Sequence, residues 1–201
     1  MLAFLLLHGL LALGAPAEQP APPPRADLSW DDAGSLAKKL ADAERWAREG
    51  KRPAVSRVLV SEGELNSYLN LSLGPKMPQG LTDVKVRLEN DRLQANALLD
   101  LQQIQGKVKD GGALRLFGLL GGPMPVEFKG RMPNKDGFGQ IEVEELRLGA
   151  VALPMSVLEQ IVASSTRTPD NPQGFDLHSP FRLPYALKKV RLEPGRAVLD
   201  F

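Results

Sequence analysis

Residues 58–101 read VLVSEGELNSYLNLSLGPKMPQGLTDVKVRLENDRLQANALLDL. The apolar run Val58-Leu59-Val60 meets Ser61, and Glu64 follows three positions later, ahead of Leu65, Tyr68, Leu69 and Leu71. A serine at the N-cap with a glutamate at the third helical position is a capping box, in which each side chain satisfies an orphan amide at the helix start. After a polar loop over 72–80, Val84, Val86 and Leu88 alternate with Lys85, Arg87 and Glu89. Asn90-Asp91 turns the chain, and Leu93, Ala95, Ala97, Leu99 and Leu101 keep the period of two. The stretch therefore predicts a short strand, a capped helix and a long antiparallel hairpin.

The same patterns extend in both directions. Upstream, Ser29 with Asp31 and Asp32 starts a helix in which Leu36, Leu40, Ala43 and Ala47 recur at helical spacing, beside Trp46, until Gly50 ends it. Its other face mixes Lys, Arg, Asp and Glu, which suits a helix packed on the domain better than one lying on a membrane. Downstream, 113–120 is nearly all apolar between glycine pairs, and reads as core or as a lipid-facing lip at Leu116, Phe117, Leu119 and Leu120. Val126, Phe128 and Met132 mark a strand, 133–137 a turn, and 138–148 the return strand. The apolar phase of that return slips across Glu144-Glu145, as one inserted residue would make it do. Leu153-Pro154-Met155 opens another helix carrying Val157, Leu158, Ile161 and Val162, with Pro154 in its first turn. A last hairpin turns at Pro194-Gly195. About seven strands and three helices, without βαβ alternation, define an α+β fold of long, bent antiparallel hairpins around one or two helices, with an extra N-terminal helix.

The chain has 201 residues, 25 Lys and Arg against 24 Asp and Glu, and no cysteine. One domain is expected. The balanced charge argues against a nucleic-acid partner, and the missing thiols remove disulfides and thiolate metal sites. Leu2 to Leu13 are almost wholly apolar, and Ala15-Pro16-Ala17 is a small-x-small cleavage pattern. That run is long enough for a signal-peptide core and too short to span a bilayer. The expected organisation is a signal peptide over 1–17, a stiff proline-rich linker over 18–28 and a single domain over 29–201, exported and periplasmic.

Chemistry-bearing motifs are scarce. Two histidines occur, and His8 lies in the apolar leader, so His178 stands alone beside Pro180 and reads as a loop residue. No Gly-x-Ser-x-Gly, P-loop or dinucleotide fingerprint is present. Glu142, Glu144 and Glu145 read as a solvated strand face rather than an acid–base pair. Asn70-Leu71-Ser72 matches a glycosylation sequon by accident of composition. Arg182, Lys188, Lys189, Arg191 and Arg196 are balanced locally only by Glu193, which suits either a polar strand face or contact with anionic head groups.

The segment VLVSEGELNSYLN, a glycine-ended loop and a long hairpin resemble small exported bacterial proteins of the tubular lipid-binding (TULIP-like) type. Gly-Ala-Val-Ala-Leu-Pro at 149–154 and Pro-Phe-Arg-Leu-Pro at 180–184 fit the same layout. The resemblance covers 55–201 and implies an elongated, aliphatic groove for a lipid or another long apolar molecule, with no catalytic residue and no cofactor or metal. The inward-reading faces nominate Leu65, Leu69, Val84, Val86, Leu93, Leu99, Phe128, Ile141, Val143, Leu158, Ile161 and Val162 as its walls. The alternative is a structural or interaction protein of the envelope whose side chains fill the same core. A hydrolase has only His178 to offer and ranks last.

Overall fold

The computed structural model describes residues 27–50, 56–77, 80–104, 122–169 and 171–201. The expected signal peptide, most of the proline-rich linker and the apolar lip at 113–120 lie outside the described residues. Helix α1 is Trp30–Glu49. Ser29 accepts the amides of Asp31 and Asp32 at its start, and Gly50 closes it in the left-handed conformation. Strand β1, Arg57–Ser61, runs into helix α2, Glu62–Ser67, through the full capping box of Ser61 and Glu64. The helix then widens into a π turn over Tyr68–Ser72.

A five-stranded antiparallel sheet follows, in the order β2-β3-β4-β7-β8. Its strands are Leu81–Glu89, Arg92–Asp100, Pro123–Arg131, Glu142–Leu148 and the two-residue Val151–Ala152. A four-residue helix α3, Leu101–Ile104, follows β3. Lys129 pairs with Glu145 but Gly130 with Val143, so Glu144 is the extra residue of a bulge, where the phase slip places it. A Cβ on Gly130 would stand 2.6 Å from the Glu142 carbonyl, so the bulge requires glycine there. The expected single strand over 138–148 is divided. Phe138–Gly139 is β6 of a separate small sheet, β5-β6-β9, with Asn134–Lys135 and Phe181–Arg182. Helix α4, Met155–Ser165, takes Pro154 at its N-cap, one position before the expected place.

The third sheet is β1-β11-β10, with β10 at Lys189–Glu193 and β11 at Arg196–Asp200. Among the described residues, the strands of five or more residues are β1, β2, β3, β4, β7, β10 and β11. The fold is α+β, its sheets antiparallel. The sheets are sewn together by single bonds: Asp91 N to Leu192 O, Gly195 N to Leu88 O and Gly137 N to Lys188 O. Asn134 adds two more, its amide group donating to Val190 O and accepting from Val190 N along the open edge of β10.

Two apolar clusters result. The larger joins Leu36, Leu65, Leu69, Val84, Val86, Ala95 and Leu192; the smaller joins Ile141, Leu158, Val162 and Leu177. Phe128 packs against both.

Candidate functional site: an apolar cleft under helix α1

The site begins with how α1 and α2 are held. Helix α2 lies along the outer edge of β2, where unpaired strand amides and carbonyls would otherwise be buried without partners. Asn66 accepts from Val86 N at 2.6 Å and donates to Val86 O at 2.9 Å. One helical turn on, Asn70 accepts from Val84 N and donates to Val84 O. One turn back, Glu62 accepts from Leu88 N. Helix positions 62, 66 and 70 thus replace a missing neighbouring strand for 88, 86 and 84. The signal is legible as Glu-x-x-x-Asn-x-x-x-Asn, although the sequence reading passed over it.

Helix α1 is then tied to α2. Ser29 N donates to Ser67 Oγ, and Ser35 Oγ to Glu64 Oε1. Lys39 Nζ donates to both Glu64 oxygens at 2.6 and 2.8 Å and to Leu59 O at 2.7 Å. Burial of Glu64 opposes its ionisation. Lys39, Ser35 and the Ser61 amide outweigh that and hold the carboxyl below the ordinary glutamate range.

Held there, α1 stands over the β1-β11-β10 sheet without touching it everywhere, and a cleft of about 160 Å³ remains between them. Register explains its floor. Val58 pairs with Leu199, Val60 with Ala197, Val190 with Leu199 and Leu192 with Ala197, so all six side chains share one face. Leu36, Leu40 and Ala43 of α1 form the roof; Val86, Leu88, Leu93 and Met132 form a wall. Phe201 closes one end, its ring edge-to-face with Trp46 at 5.7 Å. Leu183, Pro184, Tyr185 and Leu187 form the rim. Two polar-headed side chains reach the lining, Lys39, already bound to Glu64, and Tyr185. Tyr185 and Ala186 both take positive φ, 56° and 57°, a pair of left-handed non-glycine residues anchored by buried Leu183 and Leu187. Burial, with help from Glu44 and Tyr68, pushes the Tyr185 phenol up to about 12.

Of the nominated wall residues, Leu65, Val86 and Leu93 line this cleft. Leu69 and Val84 are fully buried in the larger cluster, with Leu99 and Phe128 packed against it. Ile141, Val143, Leu158 and Val162 belong to the smaller cluster, and the side chain of Ile161 lies outside the described residues. The cleft residues that the sequence reading missed are those of α1, Val58 and Val60 of β1, Leu88, Met132, the last hairpin with Phe201, and the 183–187 rim.

The remaining candidates are engaged elsewhere. Glu144 pairs with Arg92 and Arg131, and Glu145 with Lys129 and Arg147. Arg191 and Arg196 are neutralised by Glu193 and Asp200. His178 Nε2 meets Glu159 Oε1 at 2.8 Å on an exposed surface. Among the described residues no group of three His, Asp or Glu is placed to hold a metal, and no helix is long and apolar enough to cross a membrane. Compared with known proteins, the chain matches no family model, no curated protein and no solved structure.

Proposed function

We propose that the protein binds an apolar ligand in this cleft, without catalysis, as an exported lipid-binding or lipid-carrying protein of the TULIP-like type. The observation that carries the reading is the lining itself: aliphatic side chains from five separate parts of the chain leave a space of about 160 Å³ that their own bulk does not fill. Interiors normally close such spaces, because a void forfeits dispersion contacts. A dry cavity of roughly 150 Å³ accepts a molecule the size of benzene. That corresponds to about six carbons of a chain, and at about 0.8 kcal/mol per buried methylene gives roughly 5 kcal/mol. Such a gain supports only submillimolar binding. The ligand is therefore a molecule whose apolar end enters the cleft while the rest lies along the rim or stays in a lipid phase.

A second reading has its own support. Leu69, Val84 and Val162 have no exposed surface, so much of the expected groove wall is packed as solid core. That favours a structural or interaction protein. Ala43→Leu separates the two, because Ala43 is buried on the cleft roof and the larger side chain projects into the space. On the binding reading, solvent extraction and mass spectrometry of the wild type recover an apolar ligand and the variant loses it, with stability unchanged or raised by about 0.5–2 kcal/mol. On the structural reading no apolar ligand is recovered from either protein.

A further inference from the structure

The small sheet β5-β6-β9 has two unlike faces. Gly139 pairs with Phe181, whose ring stacks edge-to-face on Phe175 in the smaller core, so that face is turned inward. On the other face, Lys135 pairs with Phe138 and Phe138 with Arg182, and directly opposed residues project to the same side of a sheet. The result is a row of Lys135, Phe138 and Arg182, with Phe138 52% exposed. Among the described residues the side chains of Lys135 and Arg182 make no ion pair or hydrogen bond. This sets them apart from Lys129, Arg131, Arg147, Arg191 and Arg196, each of which meets a carboxylate. Lys189, exposed and likewise unengaged, lies on the adjoining strand β10, while Lys188 donates to Phe201 O. Asp136, in the turn between β5 and β6, is the one acid within 133–140.

We infer that this face docks on an anionic lipid surface, with Phe138 entering the head-group boundary and Lys135 and Arg182 meeting the phosphates. The charge is complementary to such a surface. A protruding ring between two long cationic side chains also matches an interface that is apolar inside and charged at its rim better than it matches an acidic protein. The inference goes beyond ligand binding and stands whether or not the cleft is filled.

The test is co-sedimentation of the full chain with phosphatidylglycerol-containing and pure phosphatidylcholine vesicles, at low and high salt. Comparing variants within the same chain cancels any contribution from the apolar run at Leu2 to Leu13. The wild type is expected to bind the anionic vesicles, and to release with salt. Lys135→Gln with Arg182→Gln should weaken binding about 30-fold at low salt, and Phe138→Ser about tenfold. Lys38→Gln with Lys76→Gln, exposed cations elsewhere, should leave it unchanged. All these side chains are exposed, so near-ultraviolet circular dichroism should be that of the wild type. Should the double variant misfold, the single variants and Phe138→Ser carry the same comparison. Absence of wild-type binding, indifference to Lys135, Phe138 and Arg182, or equal loss in the Lys38 and Lys76 control would each overturn the inference. Binding to polyglutamate but not to vesicles, with the same residue dependence, would replace it with an acidic protein partner.

Discussion

Glu64 is where three elements meet, since it caps α2, receives Ser35 and Lys39 from α1 and bonds the amide of the last residue of β1. Its carboxyl is held below the ordinary range, so the folded state binds this proton more weakly than the unfolded chain does. The associated stability is then complete above about pH 4.3, the ordinary glutamate value, and is lost as pH falls through the lower folded value. Acid titration of unfolding free energy should show this loss in the wild type and a flatter profile in Glu64→Gln. The neighbouring amide ladder tests the same junction without charge. Asn66→Ala leaves Val86 N and Val86 O without partners in a buried place, and should cost about 2–4 kcal/mol in chemical denaturation. Asn66→Asp should be no better, because a carboxylate cannot donate to Val86 O. A loss below about 1 kcal/mol would mean that water replaces the amide and that the ladder does not fix α2 to the sheet.

At the scale of elements, helix α4 depends on the loop behind it. Thr166 Oγ1 donates to Val162 O and accepts from Phe175 N, so the chain after the helix folds back against its last turn. Gly174 sits at φ 78°, and a Cβ there would overlap the carbonyl of Ala163. Gly174→Ala should therefore cost roughly 2–4 kcal/mol, and should release Phe175 and Leu177 from the smaller core. Hydrogen exchange confined to α4 and 166–179 would check that the damage stays in this unit. Elements with local signals were legible in the sequence: the Ser61–Glu64 box, the Ser29 and Gly50 ends of α1, the bulge at Glu144. Which sheet each strand joins was not, since β6 and β7 are separated only by Gln140 and Ile141, and Phe138 and Gly139 pair with 181–182 instead of joining the large sheet. The cleft was the least legible part. Leu65 and Leu69, or Val86 and Val84, carry the same apolar pattern, yet the first of each pair lines a space and the second touches only packed neighbours. Alternation marks which side chains turn inward; whether something meets them there depends on where α1 is tethered, and the bonds of Ser29, Ser35 and Lys39 to residues 59, 64 and 67 set that.

For the whole molecule, the cleft exists only when distant parts of the chain have met. Its floor pairs β1 with β11, its roof is the first helix and its rim is the turn at Pro184–Ala186. Such non-local closure carries a larger loop-closure entropy than the hairpins, which need only nearby residues. Tyr185 reports on that closure, because its phenol is half-buried on the rim and pushed up to about 12. The chain has two tyrosines, and burial raises the other, Tyr68, above its ordinary value as well. Native protein should then show no tyrosine ionising near pH 10, whereas the chain in concentrated guanidinium should show both doing so. The folded state keeps these protons longer, so their contribution is whole below about pH 10 and disappears as pH rises through the folded values. Tyr185→Phe removes one titration while keeping the ring, and should flatten the alkaline loss of stability; Ala43→Leu, which crowds the same space, should leave Tyr185 at or above its wild-type value. A native tyrosine that ionises near pH 10 and disappears in Tyr185→Phe would mean that the rim stands open to water, and the apolar cleft would then be too wet to hold the ligand proposed for it.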